Sequence, residues 1–379
     1  MKSKVKAIAF LLVLLAFLST FSIVSSAKSE SNVNISARSF CLIEATEGRV
    51  LYGKGENIRL PMASTTKIMT AIIALESGIP LSSQIKVPKA AVGVEGSSIY
   101  LAEGEIITLE ALLYGLLLSS ANDASVAIAL TIADSKEGFV DMMNEKARFL
   151  GLYNTHFANP HGLYDDDHYS SAYDLARLMA YCMKNEEFAK ISGCSKRVFP
   201  RDGGTTRVMI NHNRLLGYDI GVIAGKTGFT KKSGRCLVSC AEREDMMLIC
   251  TTLGAPDDWN DHKKLYDFGF GNYQRMCFGG IEIDIPLVSG QNSSVSATSN
   301  GVSVLLPKDR SDIDVIVEAP RFLFAGINKG DQIGRVVYSH QGKMIASSPL
   351  FLTEDATRIK YGFNLFEWLM DLIKRIKEI

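Results

Sequence analysis

The order of strand-type and helix-type patterns is the feature that most limits how this chain can fold. Strand patterns lie at residues 38–53 and again at residues 220–253. Helical periodicity fills much of the chain between them, at residues 64–77, 108–119, 122–133, 136–150 and 171–184. Because strands from both ends can share one antiparallel sheet, this order predicts an α+β domain with a helical cluster in its middle.

The chain changes character after residue 276. Residues 278–352 carry short β-type runs separated by Gly, Ser and Asn turns, which predicts a small all-β domain. The last segment reads as an amphipathic helix. Its apolar arc consists of Leu365, Phe366, Trp368, Leu369, Leu372, Ile373 and Ile376. We therefore predict a main domain at residues 37–276, a β domain at 277–353 and a terminal helix at 357–379.

The N-terminus has the three parts of a secretory signal peptide. Three lysines among the first six residues precede an unbroken apolar run at residues 7–18, and small residues at 25–27 match a signal-peptidase site. A transmembrane anchor is the alternative, but the apolar stretch is short for a bilayer span and hydroxyl residues interrupt it. We predict cleavage after Ala27, a disordered linker at residues 28–36, and secretion.

The charge balance and the cysteines argue against two classes of function. Lys plus Arg and Asp plus Glu number 41 each, so nothing points to nucleic acid. Without residues 1–27 the balance is 38 basic against 41 acidic side chains. The seven cysteines include no C-x-x-C pair, which argues against a zinc or redox site. We interpret them as small buried apolar residues, with a disulfide among Cys236, Cys240 and Cys250 as the alternative.

The first of three short motifs, Ser64-Thr65-Thr66-Lys67, opens a long apolar helix pattern. A serine before a helix is usually only its N-cap. The residue three positions after such a cap is usually Glu or Gln. Here that position holds Lys67, and the positive end of the helix dipole disfavours a positive charge there. A lysine buried there should lose its proton easily, and it would share a helix face with Ser64. The motif therefore fits a serine nucleophile with a neutral lysine as its base.

Two further motifs follow along the chain. Ser120-Ala121-Asn122 lies between two helical stretches, where Asn122 or Asp123 could be no more than a helix cap. Its functional interpretation is a second hydroxyl that relays a proton and an amide that grips a peptide group. Lys226-Thr227-Gly228 ends a β-type run. It looks like the end of a phosphate-binding P-loop, but the preceding glycines have the wrong spacing and a strand, not a helix, follows.

In this order S-x-x-K, S-x-N and K-T-G form the motif set of penicillin-binding proteins and class A β-lactamases. The segments that carry the resemblance are residues 61–67, 120–125, 159–163 and 225–230. They resemble the low-molecular-mass penicillin-binding proteins of the peptidase family S11 type, which are serine D-alanyl-D-alanine carboxypeptidases. Residues 324–331 resemble the β domain of that family, and the terminal helix resembles its membrane anchor.

The resemblance implies both a fold and a reaction. The fold would be a serine β-lactamase/transpeptidase-like catalytic domain, with an antiparallel sheet and a helical cluster, followed by the β domain and the helix. Ser64 would attack the carbonyl between the two D-alanines of a peptidoglycan stem pentapeptide, with Lys67 as the base. Ser120 would pass the proton to the leaving amine, and water would then hydrolyse the acyl-enzyme. A β-lactam antibiotic would acylate the serine as a false substrate, and neither a cofactor nor a metal would take part.

The resemblance also implies how substrate and membrane are bound. Asn122 would hold the peptide backbone, Lys226 would supply positive potential, and Thr227 would bind the terminal carboxylate, in the strand segment that Gly228 completes. The enzyme would lie on the outer face of the cytoplasmic membrane, attached to the membrane surface by its terminal helix.

Two positions depart from the usual family pattern. Ala121 stands where glycine is frequent, and Phe229 stands where many members have histidine. The implied oxyanion hole consists of the backbone N–H groups of Ser64 and Phe229, so it does not depend on that side chain. The sequence leaves open whether His212 or Arg214 helps to bind the substrate carboxylate.

Three other interpretations fit the sequence less well. A class A-like β-lactamase would need a Glu that activates the deacylating water, and residues 153–162 contain none. A catalytically inactive scaffold that binds the cell wall would not need every motif side chain. His161 and His168, with three aspartates between them, could suggest a metal site, but we predict a solvated loop. Asp174 is expected to be structural.

Overall fold

The structure is a computed structural model that describes residues 33–201, 204–309, 312–359 and 365–377. The predicted signal peptide and most of the predicted linker lie outside the described residues. Every helix within these ranges is too short or too polar to cross a bilayer.

An antiparallel sheet made from both ends of the main domain confirms the predicted layout. The strands of this domain are β1 (Ser39–Glu44), β2 (Val50–Lys54), β3 (Gln84–Lys86), β4 (Ile106–Thr108), β5 (Lys196–Arg201), β6 (Thr205–Ile210), β7 (Val222–Thr230), β8 (Gly234–Arg243) and β9 (Met246–Leu253). The main sheet has the order β2-β1-β9-β8-β7, so an N-terminal strand pairs with a strand from the second half of the domain. β7, which carries the K-T-G motif, lies at the edge.

Helices cover both faces of this sheet. They are α1 (Lys67–Glu76), α2 (Leu109–Leu117), α3 (Asn122–Ile132), α4 (Lys136–Phe149), α5 (Ala172–Cys182), α6 (Glu186–Gly193) and α7 (Asp258–Asn272). Along β8, Cys236 and Val238 face the core shared with α1–α6, whereas Leu237 and Ala241 face the core under α7. Because both faces of the strand are buried, its central residues 236–241 are apolar except for Ser239 and do not alternate.

The start of α1 differs from that of three neighbouring helices. Side chains cap α2, α4 and α5, where Thr108, Ser135 and Ser171 each accept a hydrogen bond from a backbone N–H of the first turn. The chain instead enters α1 through a 3₁₀ turn, Ala63–Thr66, and α1 has no side-chain cap. Ser64 therefore lies inside a tight turn and does not cap the helix.

The predicted β domain is present. Its strands are β10 (Tyr273–Phe278), β11 (Glu282–Val288), β12 (Ser294–Ser299), β13 (Val302–Pro307), β14 (Asp314–Glu318), β15 (Leu323–Phe324), β16 (Gln332–His340) and β17 (Lys343–Leu352). One sheet has the order β14-β16-β17-β12-β11-β15, and β10 pairs with β13. This pair joins the main domain, because Leu305 packs in the core under α7 and Arg275 contacts Glu44 at 2.7 Å. The predicted boundary between residues 276 and 277 lies inside β10, and the domain boundaries stay a proposal.

The terminal helix is present as α8 (Leu365–Lys377). The apolar side chains Phe366, Trp368, Leu369, Met370 and Ile373 are between 40% and 71% exposed. A packed helix would bury such an arc, so α8 does not have the exposure of a core helix.

The cysteines are free thiols, so no disulfide joins Cys236, Cys240 and Cys250. The first two side chains face the helical core, and the third lies in the core on the other side of the sheet. The interpretation as buried apolar residues holds for five cysteines and is wrong for Cys277, which is exposed, and for Cys194, which is partly exposed.

A polar network is buried between the sheet and α7. His262 is fully buried, with Nδ1 at 2.7 Å from the Ser239 hydroxyl and Nε2 at 3.0 Å from the Thr252 hydroxyl. Ser239 also contacts the Tyr266 hydroxyl at 2.6 Å. Burial lowers the pKa of His262 from 6.5 to about 3, so the ring is neutral in the native state.

We expect this histidine to make the protein sensitive to mild acid. In the unfolded chain this histidine is protonated below about pH 6.5, whereas native His262 is protonated only below about pH 3. The free energy of unfolding that this difference contributes is present above pH 6.5 and is lost as the pH falls. In His262→Gln the loss of unfolding free energy between pH 7 and pH 5 should shrink by about 2 kcal/mol, measured by urea unfolding. An unchanged loss in the variant would contradict this account.

Candidate active site

The turn before α1 presents Ser64 in a fixed conformation. Ala63 has φ 49°, in the left-handed region that alanine rarely adopts. The hydroxyl of Thr65 donates to the Met62 carbonyl and that of Thr66 donates to the Ala63 carbonyl, each over 2.7 Å. These bonds close the turn on itself and place Ser64 directly before the helix.

Lys67 is fully buried, and its amine contacts three oxygens. Nζ lies 2.9 Å from Ser64 Oγ, 2.7 Å from Asn122 Oδ1 and 2.6 Å from the His161 carbonyl. Burial, followed by the charge of Lys226, holds the pKa of Lys67 well below 10.5, although Asp123 acts in the opposite direction. A neutral amine has two N–H bonds and a lone pair. The amide and carbonyl oxygens can accept the two N–H bonds, which leaves the lone pair for the serine hydroxyl.

The second and third motifs meet beside this pair. Ser120, with φ 59°, is buried, and its Oγ accepts a hydrogen bond of 3.0 Å from Lys226 Nζ. The same amine donates to the Thr227 carbonyl over 2.7 Å. Burial lowers the pKa of Lys226 to about 7. The three motifs therefore form one site with two buried lysines.

Gly228 allows β7 to approach the Ser64 turn. A Cβ atom at this position would lie 3.0 Å from the Ser64 backbone nitrogen and 3.1 Å from the Met62 carbonyl oxygen. Only glycine fits this gap without a shift. The neighbouring side chains lie nearer the surface, since Thr227 is partly exposed and Phe229 is 65% exposed.

A loop that the sequence analysis gave no role supports the lysine. The Asn159 side chain accepts from the Gly162 N–H over 2.7 Å and donates to the Leu163 carbonyl over 2.9 Å, so the loop is locked internally. Gly162 has φ 91°, and a Cβ atom there would lie 2.0 Å from the Ala63 carbonyl oxygen. The loop thereby carries the His161 carbonyl to Lys67. The family resemblance of residues 159–163 was the signal in the sequence.

Asp123 is a second residue whose role in the site the sequence did not predict. Its buried carboxylate accepts hydrogen bonds from the backbone N–H groups of Ile99, at 3.2 Å, and Leu101, at 3.1 Å. It is therefore more than a helix cap, since it ties the preceding loop to α3. Asn122 makes a similar link, because its Nδ2 donates to the Glu95 carbonyl over 2.5 Å while its Oδ1 faces Lys67.

The prediction of a solvated loop holds for the three aspartates at 165–167, which are exposed, but it is wrong for His168. This ring is buried, with Nε2 at 2.7 Å from the Thr66 hydroxyl. Asp174 is buried and accepts a hydrogen bond from the Thr155 hydroxyl over 2.8 Å, which fits the structural role expected for it. In the part of the chain described, no group of His, Cys, Asp and Glu side chains is arranged to hold a metal ion.

His212 lies close enough to Lys226 for electrostatic interaction. Burial, and then the charge of Lys226, lower the pKa of His212. Arg214 is exposed at the start of the 3₁₀ turn Arg214–Gly217, and the His212 side chain also reaches the surface. Of the two carboxylate-binding candidates, His212 is the one whose pKa the charge of Lys226 lowers.

Comparison with known proteins decides the family. The family model for D-alanyl-D-alanine carboxypeptidase, peptidase S11, matches residues 26–257. The chain belongs to this family. The D-alanyl-D-alanine carboxypeptidase DacF of Bacillus subtilis is 35% identical over 352 residues, which cover 89% of this chain and 90% of the relative.

Solved structures extend the likeness of this carboxypeptidase to the whole fold. Penicillin-binding protein 5 from Haemophilus influenzae matches with a TM-score of 0.71 at 30% identity, over 86% of this chain and 98% of that one. Penicillin-binding protein 6B from Escherichia coli matches with a TM-score of 0.68 at 28% identity, over 83% and 95% of the two chains. The predicted family, the enzyme class and the transpeptidase-like fold with its C-terminal β domain are confirmed.

We expect Gly228→Ala to impair the carboxypeptidase without unfolding it. The added methyl group must push β7 away from the Ser64 turn, and a small misplacement of reacting groups costs about tenfold or more in rate. The measurement is release of D-alanine from a small peptide ending in D-Ala-D-Ala. Gly217→Ala is the matched control, because a Cβ atom there meets nothing within 4 Å. Equal activity of the two variants would refute the close-approach argument.

Proposed function

We propose that this carboxypeptidase removes the terminal D-alanine from peptidoglycan stem pentapeptides through an acyl-enzyme on Ser64. The observation that carries the proposal is the 2.9 Å contact between Lys67 Nζ and Ser64 Oγ, at a lysine whose pKa lies well below its ordinary value. A lysine that is neutral at working pH can take the serine proton, so the pair has the chemistry of an activated nucleophile.

The reaction would proceed in four steps, three of acylation and one of deacylation. Ser64 Oγ attacks the carbonyl carbon while its proton passes to Lys67 Nζ. The backbone N–H groups of Ser64 and Phe229 stabilise the oxyanion. The C–N bond then breaks, and the proton held by Lys67 passes to the leaving amine through the hydroxyl of Ser120, which Lys226 orients over 3.0 Å. Lys67 is thereby neutral again. Water finally hydrolyses the ester and restores the free serine.

Substrate binding would use the exposed side of β7. Lys226 supplies positive potential and Thr227, which is partly exposed, binds the terminal carboxylate of the peptide. The Asn122 amide keeps a second N–H for the peptide backbone beside its bond to Glu95. A β-lactam has the same carbonyl and carboxylate, so it would acylate the same serine.

The alternative of a class A-like β-lactamase is less well supported. Such an enzyme needs a glutamate that activates the deacylating water. Residues 153–162 contain none, and the oxygen of this loop that contacts Lys67 is the backbone carbonyl of His161. We therefore expect the penicilloyl-enzyme to persist, whereas a β-lactamase would release it quickly. The inactive-scaffold alternative predicts no acylation at all.

Acylation by penicillin tests the proposal. Mass spectrometry should find the adduct on the peptide that contains Ser64, and Ser64→Ala should carry none. Lys67→Arg keeps the charge but not a usable base, so acylation should fall by about a thousandfold. In the wild type the rate should rise with pH as Lys67 deprotonates, through a pKa well below 10.5, and the arginine variant should lack this rise.

Two results would contradict these assignments. An adduct on another residue that persists in Ser64→Ala would exclude Ser64 as the nucleophile. Near-normal acylation of Lys67→Arg would show that another group is the base. Circular dichroism of each variant controls for loss of fold.

We also propose that α8 attaches the secreted protein peripherally to the membrane. Its apolar arc includes the exposed aromatic side chains Phe366 and Trp368, which suit the headgroup boundary. Lys374 and Arg375 are exposed on the same helix, where anionic lipid would attract them. The anchored enzyme would hold its active site near the cell wall.

Removal of α8 should separate attachment from catalysis. The cut belongs after Ile359, because Ala356 lies in the β-domain core and Arg358 Nε donates to the Ala325 carbonyl over 2.8 Å. The shortened chain should stay folded and active on a small D-Ala-D-Ala peptide but no longer sediment with anionic vesicles.

A matched pair of full-length variants localises the effect. Trp368→Ser should weaken vesicle binding, whereas Glu367→Gln should not. Vesicle binding by the shortened chain equal to that of the full chain would disprove the anchor.

A further inference from the structure

A buried chain of hydrogen bonds leads from the loop at Ala158 to the peptide bond before Ser64. The Ala158 N–H donates to His168 Nδ1 over 2.9 Å, and His168 Nε2 lies 2.7 Å from Thr66 Oγ1. The Thr66 hydroxyl donates to the Ala63 carbonyl over 2.7 Å. His168, Thr66 and Ala63 are at most 3% exposed, so the hydrogen bonds from His168 to Thr66 and from Thr66 to Ala63 are buried.

The donor at Ala158 determines which atom donates and which accepts in every hydrogen bond of this series. Because a backbone N–H can only donate, Nδ1 of His168 must accept, and the proton of the neutral ring is on Nε2. That N–H donates to Thr66 Oγ1, whose own hydrogen goes to the Ala63 carbonyl. Burial lowers the pKa of His168 to about 3, which keeps this single tautomer neutral at ordinary pH.

The series of hydrogen bonds ends on the peptide group that contains the Ser64 N–H. The Ala63 carbonyl and the Ser64 N–H belong to one rigid plane, so a group that holds the oxygen also directs the N–H. Ala63 has φ 49°, a left-handed conformation that costs an alanine about 1–2 kcal/mol and persists only where the surroundings hold it. Gly162 lies against the carbonyl side of this plane and Gly228 against its nitrogen side.

We propose that Thr66 and His168 are positioning residues for the oxyanion hole, because they orient the Ser64 N–H through the carbonyl of the same peptide group. The inference rests on the proposed function, which makes this N–H a donor to the developing oxyanion. Both side chains are buried behind the turn. Their loss should therefore slow acylation and leave non-covalent binding of the substrate almost unchanged.

Thr66→Val and Thr66→Ser form the central comparison. Valine keeps the shape without the hydroxyl, whereas serine keeps the hydroxyl. Loss of one oxyanion donor costs about 10²–10³ in rate, and we expect a misoriented donor to cost less, about 10- to 100-fold. In stopped-flow measurements with a fluorescent penicillin, Thr66→Val should lower the acylation rate constant by that factor, with the non-covalent dissociation constant within about twofold of wild type. Thr66→Ser should resemble wild type.

The affinity for a boronic acid is a readout that would stay unchanged if Thr66 and His168 had only a structural role. Phenylboronic acid forms a tetrahedral adduct on a serine hydroxyl and places an oxygen where the oxyanion develops. Its affinity should fall in Thr66→Val by about the same factor as the acylation rate constant. His168→Leu should reproduce both losses, and His168→Gln, which can offer an N–H to Thr66, should recover much of each. Combining Thr66→Val with His168→Leu should add little, because both break one link.

The outcomes separate this inference from the proposed function. Wild-type protein that is not acylated at Ser64 would contradict both. Normal wild-type acylation, together with an unchanged rate constant and boronate affinity in folded Thr66→Val, would overturn the inference alone, even if the melting temperature fell. Should Thr66→Val fail to fold by circular dichroism, the comparison of His168→Leu with His168→Gln decides by the same two measurements.

Discussion

The rest of the site depends on the hydrogen bonds that the buried amine of Lys67 makes. An amine without access to water needs polar partners, and it keeps its charge only at high cost. Its partners come from three places in the fold: the turn that carries Ser64, the amide of Asn122 on α3 and the His161 carbonyl in the loop. Each must lie within about 3 Å of one nitrogen atom, so the Ser64 turn, α3 and the loop have to pack in a single arrangement.

A second buried lysine gives the site its electrostatic character. Lys226 lies beside Ser120, and its charge disfavours a proton on Lys67, while Asp123 favours one. Two lysines whose pKa values are lowered in one desolvated pocket do not both stay charged at low cost. Close packing of backbone brings them together, because Gly228 lets β7 touch the Ser64 turn. The glycine of the K-T-G motif is thus a packing requirement of the catalytic arrangement.

The sequence predicted the elements with strong periodicity and missed those stabilised by tertiary contacts. Helices α1–α5 and strands β1, β2 and β7–β9 lie close to their predicted ranges. Helix α7 was not predicted, because its sequence is polar and contains two glycines. Gly269 has a structural reason, since a Cβ atom there would lie 2.5 Å from Leu248 Cδ1 against the sheet. Helix α6 and the β5–β6 hairpin were missed as well, because elements of eight and six residues are too short for their periodicity to stand out.

The sequence by itself identified the side chains to which we assign the chemistry. Ser64 and Lys67 are three residues apart, so local geometry alone brings them within reach. The motif order then identified Ser120, Asn122 and Lys226. Only the tertiary structure decided what surrounds them. The partners of Lys67 at His161 and of Thr66 at His168 are 94 and 102 residues away in sequence. The partner at His161 is a backbone carbonyl. Every residue has such a carbonyl, so the identity of the residue does not reveal the contact. The depressed pKa of Lys67 comes from burial, which exists only after the chain has folded.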